Sequence, residues 1–455
     1  MADQLNLTQS LTCNVCGDIL SEPITLSCGN TICSHCFPVN SPSNKKSVFV
    51  CPISQCTSTS HLFGPELLVD ATVSEISNIL REYLASCARP LSPVEEYENG
   101  YLDALSRAVI PHLRCSGCHL TAVDPITSHC GHTFCRLCIL QTKVDSDNCN
   151  LCYRPLPKYS HLSAQSSNKL ITQLIKSFQF AGALPFTTTE TPLLDSNNNE
   201  QRNVPLFVSN NVILPGQKFK LPVFNAAHLN MFRSSLVPSS RYSGLCLASV
   251  HRNKPQVAQF GTILKIVGVE HRPDAIMIDV IGTDRFKLES HREENEFTLF
   301  ADFELLSEAS ITQFGIEFPC SSAGDVAMIQ EHAYGYSVEL ADTILHFIHH
   351  LGQTPNIPNN TLHTQTQGIL GPLWFENMKT IHGPIPSKND PAAVCWWAAV
   401  VLPTAPNDLY GLLRTVPLVD RLELVITWMQ AMQNQWERCR STAINAINRV
   451  ANQYQ

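Results

Sequence analysis

Charge is scarce in this sequence: Asp, Glu, Lys and Arg make up only 15% of the 455 residues. The basic side chains, 31 against 39 acidic ones, leave a formal net charge of −8. A chain that tracks a polyanion carries a basic excess or stripe, so DNA and RNA are not expected partners. A secretory leader is also missing, because MADQLNLTQS has neither a basic start nor an apolar core. The longest strongly apolar stretch, Val394 to Leu402, is far short of the roughly 20 residues of a membrane span, so no membrane is expected. No G-x4-G-K-[ST] phosphate loop occurs anywhere. These absences predict a soluble intracellular protein, cytoplasmic with the nucleus as a second compartment, and no nucleotide-driven engine. Apolar residues reach 44%, enough for at least one large core, and the length suits roughly two to four domains.

Cysteine, by contrast, is abundant. Of 19 cysteines, 14 fall in two groups, residues 13–56 and 115–152. Without export to an oxidising compartment, paired C-x2-C spacings predict metal sites rather than disulfides. The two groups are copies. Cys13, Cys16, Cys28, Cys33 and Cys36 recur at a constant offset of 102 residues as Cys115, Cys118, Cys130, Cys135 and Cys138, and EPITLSCGNTIC (22–33) aligns without a gap on DPITSHCGHTFC (124–135). An amphipathic helix is expected after each copy, carrying Ile76, Ile79, Leu80 and Leu84 after the first and Leu170, Ile171, Leu174, Ile175 and Phe178 after the second.

From Ala183 to Asn203 the chain turns polar and reads as a linker. Short β-like runs follow. Phe219–Phe224 and Thr262–Val267 alternate, and Ala275–Ile281 is β-branched, with Gly282-Thr283-Asp284 read as the turn after it. Several such strands suggest a small barrel or sandwich. After Leu306 helical spacing takes over, with Ala341, Ile344, Leu345, Ile348 and Leu351 on one face and Gly352 as a stop. Residues 353–390, rich in Pro, Asn, Thr and Gly, read as a surface excursion. The last helix begins near Pro417 with Leu418, Leu422, Val425, Met429, Met432 and Trp436 in one stripe, expected to pack on its own domain. Adjacent indoles such as Trp396 and Trp397 can anchor a partner, but their apolar setting favours the core. His346, His349 and His350 lack a cysteine or carboxylate at ligand spacing and are expected on a solvated face.

The second group reads Cys115-x2-Cys118-x11-Cys130-x-His132-x2-Cys135-x2-Cys138-x10-Cys149-x2-Cys152. Eight soft or borderline ligands suffice for two tetrahedral zinc ions. This order resembles the RING finger, in which ligand pairs interleave. By that resemblance Cys115, Cys118, Cys135 and Cys138 hold one zinc, and Cys130, His132, Cys149 and Cys152 hold the other. In the first copy Cys13, Cys16, Cys33 and Cys36 make a complete set. Cys28, Cys51 and Cys56 have Asn30 where the second copy has His132, with His35, His61 or water as alternatives for a fourth ligand and an empty site as another outcome. The first copy is thus expected to hold one or two zinc ions and the second two.

RING fingers act as ubiquitin ligases by docking a ubiquitin-conjugating enzyme. The resemblance offers Val15, Pro52 and Ile53 as docking candidates in the first copy. In the second, where Gly117 and Asn150 stand at the family's docking positions, it offers Leu120 and Leu151, with Arg154 one place beyond the position at which strong members hold ubiquitin. No catalytic residue is expected on the chain itself. Residues 57–114 contain only Cys87, expected to pack as a small apolar side chain, so a covalent cysteine relay is not expected.

PLFVSNNVILPGQKFKLPVFNAAHLNMF (205–232), FGTILKIVGVE (260–270), IMIDVIGTDRFKLESH (276–291), CWWAAVVLP (395–403) and DRLELVITWM (420–429) resemble, in order, the LON N-terminal domain. Together with the zinc clusters they are similar to the LON-domain RING-finger protein family. Without a phosphate loop, and with the sequence ending soon after this segment, a Lon protease is not expected. The fold class expected is α+β multidomain: two small zinc-bound RING units, each followed by a helix, then a β-rich PUA-like LON barrel with a C-terminal helical subdomain. The expected boundaries are 11–60 for a degenerate first RING, 68–112 for a helical connector, 113–157 for the second RING, 165–182 for a helix and 183–203 for a linker. The barrel is expected over 204–306 and the helical part over 307–455. The function implied is ubiquitin transfer to a protein substrate recruited by the LON domain, with a conjugating enzyme and ubiquitin as partners; the alternative is a non-catalytic zinc scaffold.

Overall fold

A computed structural model describes residues 7–37, 47–49, 51–53, 56, 61–63, 68–87, 105–180, 183–184, 200–209, 211–236, 244–250, 257–295, 298–306, 323–352, 371 and 373–453. The chain divides into two compact units. The first comprises residues 1–194 with 223–243 and 267–278, and the second comprises the remainder.

In the first unit each cysteine cluster is built on a hairpin of two three-residue strands. Strands β1 (Pro23–Thr25) and β2 (Thr31–Cys33) pair antiparallel, as do β5 (Pro125–Thr127) and β6 (Thr133–Cys135). Strands β3 (Ser47–Phe49) and β4 (His61–Phe63) form a further hairpin in the first copy. The short helix α1 (Leu7–Ser10) precedes the first cluster, and α3 (105–109) with a 3-10 turn over Ile110–Leu113 precedes the second. Each cluster is followed by the expected amphipathic helix. On α2 (Ala71–Cys87) the buried stripe is Val73, Ile76 and Leu80, while Leu84 is exposed, contrary to expectation, because it lies past the last turn that meets the core. Helix α6 (Lys169–Phe180) buries Leu170, Ile171, Leu174, Ile175 and Phe178. Helix α4 (Arg136–Asp145) lies inside the second cluster and carries Cys138, and α5 (Tyr159–Ala164) lies between that cluster and α6; the two helices are joined by the Arg136 guanidinium, which donates to the carbonyls of Leu162, Ser163 and Gln165.

The same unit takes in α7 (Ala226–Ser235), capped by Asn225, whose side chain accepts from Ala227 N at 2.8 Å. Arg233 of α7 pairs with Asp145 of α4 at 2.9 Å, and His271 Nε2 lies 3.0 Å from the Lys143 carbonyl.

The remaining strands form one sheet: β7 (Glu200–Ser209), β8 (Lys218–Val223), β9 (Gly244–Val250), β10 (Val257–His271), β11 (Ile276–Asn295) and β12 (Thr298–Leu306). Their order is β10-β9-β7-β12-β11-β8, and β10 also pairs with β11, which closes five of the six into a barrel. The β7–β9 pair is parallel. Phe286 and Phe303 meet inside at 5.0 Å between ring centroids.

The strands depart from the sequence reading at three points. The linker yields to β7 at Glu200. Thr262–Val267 does not alternate, since Thr262, Ile263 and Leu264 are all buried, as a strand covered on both faces requires. Gly282-Thr283-Asp284 is not a turn, because β11 runs straight through it. Gly282 serves a close approach instead. A Cβ there would lie 2.3 Å from the Leu214 carbonyl oxygen, and Gly282 exchanges backbone hydrogen bonds with Gly216 and Gln217 at 2.8 and 3.0 Å.

The helical layer consists of α8 (Ala323–Gly352), α9 (Trp374–His382), α10 (Pro391–Val401), α11 (Pro406–Arg414) and α12 (Leu418–Gln453). Ala341, Ile344, Ile348 and Leu351 of α8 pack with Trp396 and Trp397 of α10 and with Leu422, Val425 and Met429 of α12. The Trp396 ring lies under the guanidinium carbons of Arg285 at 5.1 Å and Arg421 at 4.7 Å, and Trp397 Nε1 donates to the Gly383 carbonyl at 3.2 Å. Both indoles are core groups. The expected 353–390 excursion is corrected in its second half, where α9 packs Trp374, Phe375 and Met378 against this core. His346, His349 and His350 are exposed. The calls on Cys87, His61 and Trp436 fall on side chains outside the described ones.

Candidate metal centres and docking surface

Three C-x2-C segments fold into the same knuckle. The amides of Cys13, Cys115 and Cys149 each donate to a carbonyl five residues on, Asp18, Leu120 and Arg154, at 2.8 Å. The returning amides of Gly17, His119 and Tyr153 donate to the carbonyls of those cysteines at 2.9, 3.0 and 2.9 Å. Such a turn needs a left-handed residue after the second cysteine, and φ is +79° at Gly17, +60° at His119 and +57° at Tyr153. The knuckle points backbone N–H groups at sulfur: Gly117 N and Cys135 N reach Cys115 Sγ at 3.2 and 3.1 Å. In the stretched Cys51/Cys56 pair Cys56 N bonds Ile53 O at 3.0 Å.

Among the described residues the ligand atoms gather into three sets of four and one of three, each within 4.8 Å: Cys13/Cys16/Cys33/Cys36, Cys115/Cys118/Cys135/Cys138, Cys130/His132/Cys149/Cys152, and Cys28/Cys51/Cys56. A tetrahedral zinc with sulfur at about 2.3 Å and nitrogen at about 2.05 Å requires S···S edges of about 3.8 Å and S···N edges of about 3.6 Å. The Cys13–Cys36, Cys16–Cys33 and Cys118–Cys135 sulfurs are each 3.9 Å apart. His132 Nδ1 lies 3.5 Å from Cys130 Sγ and 3.7 Å from Cys149 Sγ. The donor sets thus fit zinc in geometry and in softness, and the interleaved pairing matches the resemblance. The three-sulfur set has no fourth ligand among the described residues. Asn30 Nδ2 lies 3.3 Å from Cys28 Sγ, as a hydrogen-bond donor rather than a metal ligand, and His35 is exposed.

Packed sulfurs cannot all be thiolates without a cation between them. Thiols of Cys135 and Cys138 donate to Cys115 and hold it far below its ordinary range. The same contact pushes Cys135 up to about 12 and Cys138 higher still. Burial, partly countered by the charge of Asp70, keeps His132 below its ordinary value and therefore neutral. Zinc replaces the thiol protons when it binds, so its affinity falls as pH falls.

The docking candidates separate by exposure. Leu120 and Leu151, each on a knuckle of the second copy, are 70% and 47% exposed, and Tyr153 and Arg154 beside them are exposed too. In the first copy Val15 is 42% exposed and Pro52 is exposed, but Ile53 is 9% exposed. Ile53 is therefore corrected from surface to core, since its side chain is buried.

A set of buried polar groups between the two clusters escaped the sequence reading. Asp70 Oδ2 accepts from Thr25 Oγ1 at 2.7 Å, Thr127 Oγ1 at 2.9 Å and Asn168 Nδ2 at 3.1 Å. Asn168 Nδ2 also lies 2.9 Å from Thr127 Oγ1. Thr31 and Thr133 back the two inner threonines at 2.8 and 2.9 Å. Asp70 and Asn168 are also helix caps, accepting from Val73 N and Ile171 N at 3.0 Å each. Their positions just before α2 and α6 are the one signal that could have revealed them.

Residues 203–431 match the family model for the ATP-dependent protease La (LON) substrate-binding domain, and residues 115–156 match a RING-type zinc finger. The chain belongs to the LON substrate-binding domain family, here joined to a RING-type zinc finger. Among named relatives, a LON peptidase N-terminal domain and RING finger protein of Schizosaccharomyces pombe is 25% identical over 326 residues, 57% of this chain and 65% of that protein. The E3 ubiquitin-protein ligase PDZRN3 of Homo sapiens is 36% identical over 70 residues, 15% of this chain and 6% of that protein. The E3 ubiquitin-protein ligase LNX of Mus musculus is 28% identical over 95 residues, 21% of this chain and 12% of that protein. This chain therefore spans less than two thirds of the length of each. A Lon N-terminal domain protein from Xanthomonas campestris overlays half of this chain and 99% of its own at 18% identity and a TM-score of 0.31, too distant to carry a residue correspondence.

Proposed function

We propose that this chain is a RING-type ubiquitin ligase whose second zinc unit docks a ubiquitin-conjugating enzyme. The carrying observation is the exposure of Leu120 and Leu151 on two rigid knuckles whose ligand sets are complete. Aliphatic groups fixed by metal-tied loops are preorganised contacts, losing little entropy when a partner arrives. The chain itself supplies no nucleophile. A substrate lysine amine attacks the ubiquitin thioester carbonyl on the conjugating enzyme, the enzyme's thiolate leaves, and the ligase contributes proximity and orientation. The LON domain is the proposed recruiter of the protein substrate, and the proposed compartment is the cytoplasm with access to the nucleus. The proposed zinc content is two ions in the second unit and one at Cys13/Cys16/Cys33/Cys36, with weaker binding at the three-sulfur set.

A lysine-discharge assay with the purified full chain and a panel of ubiquitin-charged conjugating enzymes tests this reading. Leu120→Asp and Leu151→Asp are each expected to slow discharge by about tenfold or more, the loss of one interface anchor, at unchanged zinc content. Val15→Asp is expected to leave the rate alone. Absence of discharge with every enzyme, from chain holding its zinc, would instead favour a non-catalytic zinc scaffold.

A further inference from the structure

The two zinc clusters are joined by more than a repeat. The start of each helix is held by both. Before α2, Asp70 N bonds Pro23 O of its own cluster at 2.7 Å, while Leu68 N and Ala71 N bond His129 O and Gly131 O of the other at 3.0 and 2.9 Å. Before α6 the pattern repeats with the roles exchanged: Asn168 N bonds Pro125 O at 2.7 Å, and Ser166 N and Lys169 N bond Ser27 O and Gly29 O at 3.3 and 2.9 Å. The two glycines lie inside the zinc loops, between Cys28 and Asn30 and between Cys130 and His132, with φ of +78° and +83°. A Cβ on Gly29 would stand 2.0 Å from Ser167 O, and one on Gly131 would stand 2.1 Å from Val69 O. Neither position has room for any side chain while the opposite helix is seated. At the centre the symmetry is broken on purpose of charge: one position is a carboxylate, Asp70, and the other an amide, Asn168, whose Nδ2 donates to it. Two identical halves would bring together either two buried carboxylates, which repel, or two amides and no anion for the threonine hydroxyls.

We infer that the first zinc unit is the in-cis partner of the second. The two form one matched pair, specified by the Asp70–Asn168 heterocontact against pairing with a second copy, and each unit's helix clamps the other's zinc loop. The pairing stands on geometry alone; its consequence for ubiquitin discharge rests on the ligase reading above.

The test uses the full chain with no zinc ligand altered. In Asn168→Asp, hydrogen exchange at pH 8 in α2 and α6 is expected to rise together by about tenfold or more, and a chelator is expected to remove zinc faster from the Cys130/His132/Cys149/Cys152 set. The double variant Asp70→Asn with Asn168→Asp restores one carboxylate and one amide and is expected to recover most of the protection. Gly29→Ala, in the first unit, is expected to loosen α6 of the second. A double variant no better than Asn168→Asp, or a Gly29→Ala effect confined to residues 23–36, would overturn the inference. A native chain silent towards every charged conjugating enzyme would remove the ligase reading and leave the exchange and zinc-release outcomes to decide the pairing.

Discussion

Replacing Asp70 by alanine separates a helix cap from a clamp between the zinc units. As a cap alone, Asp70 would contribute about 1 kcal/mol to α2, through its bond to Val73 N. As a clamp it also accepts from Thr25, Thr127 and Asn168. Bonds to a charged acceptor are individually worth about 1.5–3 kcal/mol. Each donor keeps a second partner, since Asn168 reaches Thr127 and the threonines can turn to Thr31 and Thr133. Their combined loss therefore falls below that of three unreplaced bonds, to about 3 kcal/mol. Against this, burial pushes the Asp70 carboxyl above its usual range, so removing the charge returns part of a desolvation cost. The net expectation is about 2–3 kcal/mol, or roughly 30- to 150-fold faster exchange of protected amides. Hydrogen-exchange mass spectrometry on the zinc-loaded chain would read this over residues 71–84 and 169–178, with β12 as the internal control. The discriminating feature is location. Loss of about fivefold protection in α2 with α6 untouched would reduce Asp70 to a cap and refute the clamp.

Two further outcomes test the barrel and its helical layer. Gly282→Ala drives a methyl against the Leu214 carbonyl at 2.3 Å, an overpacking of about 1–3 kcal/mol. Tryptophan-detected melting should fall by several degrees, and an unchanged midpoint would mean that the Leu214 turn yields freely. His382 is held below the ordinary histidine value of 6.5, by burial first and by the Lys218 charge second, and its Nδ1 accepts from Lys218 N at 3.5 Å. A depressed histidine adds stability above pH 6.5 that is lost as pH falls through the folded pKa, because the unfolded chain takes up the proton first. Protection factors in α9, corrected for the intrinsic exchange rate at each pH, should therefore fall on acidification in the native chain and lose that dependence in His382→Gln; equal pH slopes would refute it.

The gathering of the candidate ligand atoms was the most legible feature because it is written in local spacing. Each knuckle spans a few residues, and the offset of 102 exposes the second copy. The amphipathic helices were legible for the same reason. What failed depended on residues far apart in the chain. Gly282-Thr283-Asp284 has turn composition, yet its glycine answers to Leu214 rather than to its neighbours. Ile53 sits beside an exposed proline but is turned inward. Helix α9 lies in a segment of loop-like composition, and Trp374, Phe375 and Met378 find their partners on other helices. The polar centre is the extreme case. Thr25, Asp70, Thr127 and Asn168 are unremarkable singly, and only folding places them within hydrogen-bond reach.

This non-local wiring changes how zinc-ligand variants are to be read. In a chain whose RING units were independent, Cys13→Ser and Cys115→Ser would each silence one unit, and the surviving activity would name the other. Here the loop carrying Cys28 and Gly29 receives the start of α6, and the loop carrying Cys130 and Gly131 receives the start of α2. Metal-coupled folding is lost when a ligand is removed, and a loop that unfolds releases the opposite helix with it. Loss of function from either cysteine variant therefore reports on the pair. Assigning the docking surface to one unit requires substitutions that leave both zinc loops and both helix starts in place. Leu120 and Leu151 on one side, and Val15 and Pro52 on the other, meet that requirement because their side chains are exposed.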